Sequence, residues 1–121
     1  MAKKIFIVED DEAIRESLVE LLETEGYEVF SAENGQDALE QLSSGTHLPA
    51  LILLDLMMPI KDGYQFYEEK ALNKKIADIP VVIMSADGDL KRKIEKLGIS
   101  RYLKKPVDIE KVLSMVAEIC N

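Results

Sequence analysis

IFIVEDDEAIRESLVELLETEG, residues 5–26, decides the fold. Its first four residues are apolar and mostly β-branched or aromatic, which reads as a short buried strand over residues 5–8. Glu9, Asp10 and Asp11 follow at once. Ile14, Leu18, Leu21 and Leu22 then recur at helical spacing and form one apolar stripe. Gly26 stands where a helix stops. The segment is therefore one strand, an acidic turn and one amphipathic helix.

The same unit repeats along the chain. Residues 28–31 read as a second strand, and Ala38, Leu39 and Leu42 stripe a helix closed by Ser43, Ser44 and Gly45. Residues 51–54 are a third strand. Asp62-Gly63 signals a turn into a helix through about Leu72. Pro80 introduces a fourth strand over residues 81–84. Leu90, Ile94 and Leu97 stripe a helix ended by Gly98. Tyr102 and Leu103 lie in a short fifth strand, and Ile109, Val112, Leu113, Val116 and Ile119 stripe the last helix. Strand–helix alternation of this kind gives an α/β domain with right-handed crossovers and helices on both faces of a parallel sheet. The strands look almost wholly apolar, as strands buried on both faces should.

Length and composition set the outer bounds. A chain of 121 residues is one domain, expected over residues 1–121 with no output domain attached. Met1 and the short polar end at Asn121 favour a stand-alone protein over a piece of a longer one. The net charge of −8 argues against general nucleic-acid binding, which needs a basic field. No apolar run approaches the roughly 18 residues of a membrane span. One cysteine, Cys120, and one histidine, His47, exclude an internal disulfide and a Cys/His zinc site. A reducing, cytoplasmic location is expected. Cys120 reads as core or a frayed end, and His47 as a surface residue. The charge is uneven: residues 1–60 hold 13 acids and 3 bases, residues 61–121 hold 10 acids and 12 bases.

Open parallel sheets bind ligands beyond the carboxyl ends of their strands. Glu9, Asp10 and Asp11 end the first strand, Asp55 the third, Ser85 the fourth, and Lys104, Lys105 and Pro106 the fifth. Taken singly, each has an ordinary structural role: Asp11 caps a helix, Ser85 forms a turn, Lys105 is a solvated charge. Together they offer carboxylates, a hydroxyl and a lysine on one rim. Carboxylates this close repel by about 4 kcal/mol at 4 Å and an effective dielectric near 20, unless a proton or cation sits between them. Their hard oxygens suit Mg²⁺ or Mn²⁺ beside a phosphate, and a lysine supplies a point charge for that phosphate. An aspartate can itself carry a phosphoryl group. Met57 and Met58, as soft thioethers, read as loop-packing residues.

At this point the chain resembles the receiver domain of bacterial response regulators in two-component signalling. The resemblance runs from Lys4 to Ile119. It rests on Ile7-Val8-Glu9-Asp10-Asp11, Asn34-Gly35 before Ala38-Leu39, and Leu54-Asp55-Leu56-Met57-Met58-Pro59 with Asp62-Gly63. Met84-Ser85-Ala86 and Tyr102-Leu103-Lys104-Lys105-Pro106 complete it. It implies a flavodoxin-like, doubly wound (βα)5 domain with a five-stranded parallel sheet of order 2-1-3-4-5. It implies Asp55 as phosphoacceptor and Mg²⁺ as cofactor. Asp10 would bind the ion directly, Glu9 through water, and Asp55 with the Met57 carbonyl would complete the set. Lys105 and Ser85 would contact the phosphoryl group, Tyr102 would be an aromatic switch, and Lys105-Pro106 would be cis. Pro59 and Gly63 would shape the loop after the acceptor.

The donor implied is a histidine kinase or a histidine phosphotransfer protein. The output implied is a protein target at the face of the fourth helix, fifth strand and fifth helix. The basic stretch Lys91, Arg92, Lys93, Lys96, Arg101 and Lys104 points to an acidic partner or a weak dimer contact there. The expected chain is a monomer or weak homodimer, a signalling phosphoacceptor with slow self-dephosphorylation and not a conventional enzyme. Glu9 stands where Asp is commoner, Val107 where many members have Phe, and Gly98-Ile99 where Gly-Ala is usual. The segment between Ser85 and Gly98 is short for the family. In that family, side chains at the positions of Met57 and Asp87 flank the acceptor's path to solvent, and the resemblance implies an intermediate phosphoryl lifetime. A flavin carrier would need a glycine- and hydroxyl-rich phosphate loop where Glu9-Asp10-Asp11 stands. An aspartyl phosphatase usually has a second aspartate where this chain has Met57. A degenerate, phosphorylation-independent receiver would be expected to have lost key residues, and all are present.

Overall fold

The computed structural model describes residues 3–45, 48–86, 90–99 and 101–120, apart from the side chains of Leu90 and Lys93. The expectations for His47, for Asp87 and for the Lys93 side chain lie outside the described residues. The elements alternate as the apolar pattern predicts: β1 (Lys4–Val8), α1 (Glu12–Thr24), β2 (Glu28–Ala32), α2 (Gly35–Ser44) and β3 (Leu51–Asp55). There follow α3 (Gly63–Leu72), β4 (Val81–Ser85), α4 (Leu90–Lys96), β5 (Tyr102–Lys104) and α5 (Ile109–Cys120). All pairings are parallel, and the sheet order is β2-β1-β3-β4-β5.

Alternation along each strand divides the core in two. Ile5, Ile7, Leu51, Leu53, Val82, Met84 and Leu103 pack with Leu18 and Leu22 of α1 and Val112 and Val116 of α5. Phe6, Val8, Ile52, Leu54 and Ile83 pack on the other side with Ala38 and Leu42 of α2, Phe66 of α3 and Ile94 of α4. A period of two in the strands meets a period near 3.6 in the helices, and both faces of the sheet are covered. The three central strands are buried almost throughout. The edge strand β2 is not: its residues alternate between exposed and half-buried up to Ala32, and Phe30 is 41% exposed. The expectation of apolar strands buried on both faces fails at the two edge strands, β2 and β5, where Lys104 is exposed; each has a strand neighbour on one side only.

Polar residues set the helix ends. Asp11 accepts from the Ile14 amide, Asn34 from Asp37 and Asp62 from Gln65, each one capping a helix N-terminus. Asp62 and Gln65 close a reciprocal capping box. Such a cap is worth about 1 kcal/mol. Gly26 and Gly98 take φ of +95° and +75°, which a side chain resists, and they end α1 and α4. Cys120 is buried at the end of α5, and burial pushes its thiol pKa up. No helix among the described residues is long and apolar enough to cross a membrane.

Candidate functional site

Register brings the strand ends together. Val8 pairs with Leu54, Asp55 with Met84 and Ser85 with Lys104. Glu9, Asp55, Ser85 and Lys105 therefore stand one after another along the carboxyl rim of β1, β3, β4 and β5. They line a cavity of about 500 Å³ together with Asp10 and Met57. Main-chain bonds fix the rim: the Glu9 amide donates to Ala32 O at 3.0 Å, and the Lys105 amide to Ser85 O at 2.8 Å. The Lys105–Pro106 peptide is cis.

Adjacent acids take different environments. Glu9 is fully buried, Asp55 is 3% exposed, and Asp10 is exposed. One carboxylate oxygen from each of the three lies within 4.8 Å of the others. Lys105 Nζ sits between two of them, 2.5 Å from Glu9 Oε1 and 3.3 Å from Asp55 Oδ2. Asp55 Oδ1 accepts from the Met57 amide at 3.2 Å, and Glu9 Oε2 from the Asp11 amide at 3.2 Å. Glu9 Oε1 receives no well-directed hydrogen bond; the ammonium beside it is a countercharge.

The charges respond accordingly. Burial pushes the Asp55 pKa up to about 7, and the hydrogen bond and repulsion from Glu9 add to it, against the pull of Lys105 and the Met57 amide. Burial opposes the charge on Lys105, but Glu9 and Asp55 more than offset it and its pKa is raised. The donor set is hard oxygen, with one carboxylate oxygen from each of three acids within 4.8 Å of the others, and that fits a small divalent cation. Ser85 is buried at the same rim.

Some placements were not legible in the sequence. Met58 is buried, as a loop-packing residue should be, but Met57 is 67% exposed. The packing role expected of Met57 is therefore corrected: the exposed residue is part of the lining of the acidic cavity. Tyr102 does not line that cavity; it is half-buried on β5, beside the α4-side core. Arg15 of α1 reaches the rim from outside the acidic motif and donates to Glu9 O.

Gly63 is required by the acceptor strand. A Cβ there would lie 2.5 Å from Asp55 O and 2.7 Å from Leu56 Cα, both main-chain atoms. Helix propensity alone predicts that Gly63→Ala gains stability. The collision predicts the opposite, a loss of about 1–3 kcal/mol in urea denaturation. A gain would show that the loop yields freely.

Comparison with known proteins agrees with this geometry. A family model described as Response regulator receiver domain matches residues 5–117. The transcriptional regulatory protein CrdR of Helicobacter pylori is 37% identical over 123 residues, covering 100% of this chain and 56% of that protein. The phosphate regulon transcriptional regulatory protein PhoB of Escherichia coli is 33% identical, covering 98% of this chain and 52% of that protein. The chain thus spans about half the length of these curated relatives. Among solved structures, the receiver domain of Francisella response regulator 1452 superposes with a TM-score of 0.82 at 31% identity, covering 97% of this chain and 95% of that one. Chemotaxis protein CheY4 of Vibrio cholerae, at 23% identity, shares the fold with a TM-score of 0.87 and covers 98% and 99% of the two chains.

Proposed function

The chain belongs to the response regulator receiver domain family of two-component systems, and on that premise we propose that Asp55 accepts a phosphoryl group from a phosphohistidine donor. The observation that carries the proposal is the arrangement around Asp55: a buried carboxylate flanked by Glu9, with Asp10 close by and Lys105 across it. An Asp55 carboxylate oxygen attacks phosphorus, the phosphorus–nitrogen bond to the donor imidazole breaks, and the imidazole keeps that electron pair. The product is an acyl phosphate on Asp55.

Each neighbour has a part. Lys105 moves from its two carboxylates toward the phosphoryl oxygens and neutralises them. Ser85, at the end of the adjacent strand, donates to another of those oxygens. Asp10, Asp55 and the Met57 carbonyl are the residues that would hold Mg²⁺ or Mn²⁺, with Glu9 acting through water. That ion, when bound, lowers the Asp55 pKa and neutralises charge that develops on the transferred group. Asp55 otherwise titrates near neutrality, so a basic medium also favours the nucleophile.

The new charge biases the surrounding loops between two arrangements. Tyr102 and the face of α4, β5 and α5 then engage a downstream protein. The donor is a histidine kinase or histidine phosphotransfer protein. The domain loses its phosphoryl group slowly and acts as a signalling element. Beryllofluoride with Mg²⁺ tests this reading. Amide resonances around residues 9–11, 55–63, 85 and 102–105 are expected to shift in wild type and to stay still in Asp55→Asn. An unresponsive wild type contradicts the proposal.

A further inference from the structure

Arg15 stands on the first turns of α1, one helical turn beyond Asp11. Its half-buried side chain is surrounded in sequence by acids, with Asp11, Glu12 and Glu16 within four positions. Among the described residues it forms no ion pair with any carboxylate. Instead, Nη1 donates to Glu9 O at 2.9 Å and lies 3.5 Å from Asp10 O. The guanidinium therefore clamps the two peptides that carry the acidic pair.

We infer that Arg15 is a positioning residue for the cation site, holding the Glu9 and Asp10 main chain so that the Asp10 carboxylate faces Asp55. The inference rests on the reading of Glu9, Asp10 and Asp55 as cation ligands. Without the clamp, these peptides just beyond β1 are tied by the Glu9 amide to Ala32 O on one side and the Asp11 amide to Glu9 Oε2 on the other. Neither bond uses the carbonyls that Arg15 holds. A group that orients ligands from behind typically changes metal affinity by about 10–100-fold when removed.

The sign of the effect separates positioning from charge. Removing a cation near three carboxylates tightens the binding of another cation if charge is the only link. Removing a clamp weakens it. Mg²⁺ is titrated against wild type, Arg15→Met and Arg15→Lys, followed by amide NMR, with folding checked by thermal denaturation. Arg15→Met is expected to bind Mg²⁺ about tenfold more weakly, with the resonances of the Asp10 and Asp11 amides displaced before any ion is added. Arg15→Lys keeps the charge but loses the planar fork, and is expected to show a smaller loss of the same sign. It also serves as the deciding variant if Arg15→Met does not fold. Unchanged or tighter binding in the deciding variant overturns the inference. A wild type that binds no Mg²⁺, or an Asp10→Asn chain that binds it as well as wild type, instead overturns the ligand reading and takes this inference down with it.

Discussion

Asp55→Asn is expected to abolish phosphoryl uptake and, in cation-free solution above about pH 7, to make the chain more stable than wild type. Asp55 is 3% exposed and its pKa is raised from 3.8 to about 7, first by burial and then by Glu9. Between those two values the folded chain holds a proton that the unfolded chain has released. Stability therefore falls as pH rises from about 4 toward 7, and the full penalty applies above 7. Its upper bound is a few kcal/mol. Asparagine has the same shape, can still accept from the Met57 amide and carries no charge to bury. The gap between variant and wild type should grow as pH rises from 4 to 8 in thermal denaturation with chelator present, and saturating Mg²⁺ should close it. A gap independent of pH, or an asparagine variant less stable at pH 8, would mean that the carboxylate is not destabilised in the folded chain.

Lys105→Met should act in the opposite direction. Glu9 is fully buried and its Oε1 has the Lys105 ammonium as countercharge. Removing one member of a buried ion pair costs about 3–5 kcal/mol, because the remaining charge is left without compensation. Asp55 loses the same partner. Protonation of Asp55, whose pKa is already raised to about 7, offers relief, so the loss should be largest near pH 8 and smaller near pH 5. A divalent cation offers relief too. In wild type an incoming ion competes with the ammonium; in the variant it does not, so Mg²⁺ should bind more tightly and restore most of the lost stability. Phosphoryl uptake should still fall, since the oxygens lose their lysine. Urea denaturation at the two pH values, with and without Mg²⁺, measures all three effects. A variant as stable as wild type at pH 8 without Mg²⁺ would show that Glu9 is not held by Lys105.

The periodicities that predict the elements are the same ones that build the core. Leu18 and Leu22 of the α1 stripe pack beneath Ile5 and Ile7, and Val112 and Val116 of the α5 stripe join them. Gly26 and Gly98 mark helix ends because only their positive φ completes the turn. The rim was legible because Glu9, Asp55, Ser85 and Lys105 each follow an apolar strand, and parallel strands in register must bring such residues side by side. Other features have no local signal. Glu9 and Asp10 are neighbours of similar chemistry, yet one is fully buried and the other exposed. The packed sheet decides that, not the sequence window. Met57 and Met58 divide in the same way.

Lys70 is the clearest case of a residue hidden from pattern reading. It lies on α3 directly after Glu68 and Glu69, and nothing in the local sequence marks it as buried. In the fold it is 3% exposed, donates to Ala77 O at 2.8 Å and lies 5.7 Å from the Tyr67 ring centroid. Burial lowers its pKa, with Asp78 working against the shift. The chain folds back after α3 and places residues 73–79 over it, which no period of three or four can announce. Gly63 was legible as a turn residue, but its need to clear the Asp55 carbonyl was not, because that contact is made by tertiary approach. The role of Arg15 has no local signal either, since its two carbonyl partners come from the strand end.

The central claim is that Asp55 carries the phosphoryl group, and reductive mapping tests it most directly. The chain is incubated with Mg²⁺ and a small phosphoryl donor, acetyl phosphate or phosphoramidate, then treated with borohydride, which converts an acyl phosphate to the corresponding alcohol. Peptide mass spectrometry locates the reduced residue. Homoserine at position 55, absent when Mg²⁺ is withheld, is the predicted result. Reduction at another carboxylate, or none with either donor, contradicts it.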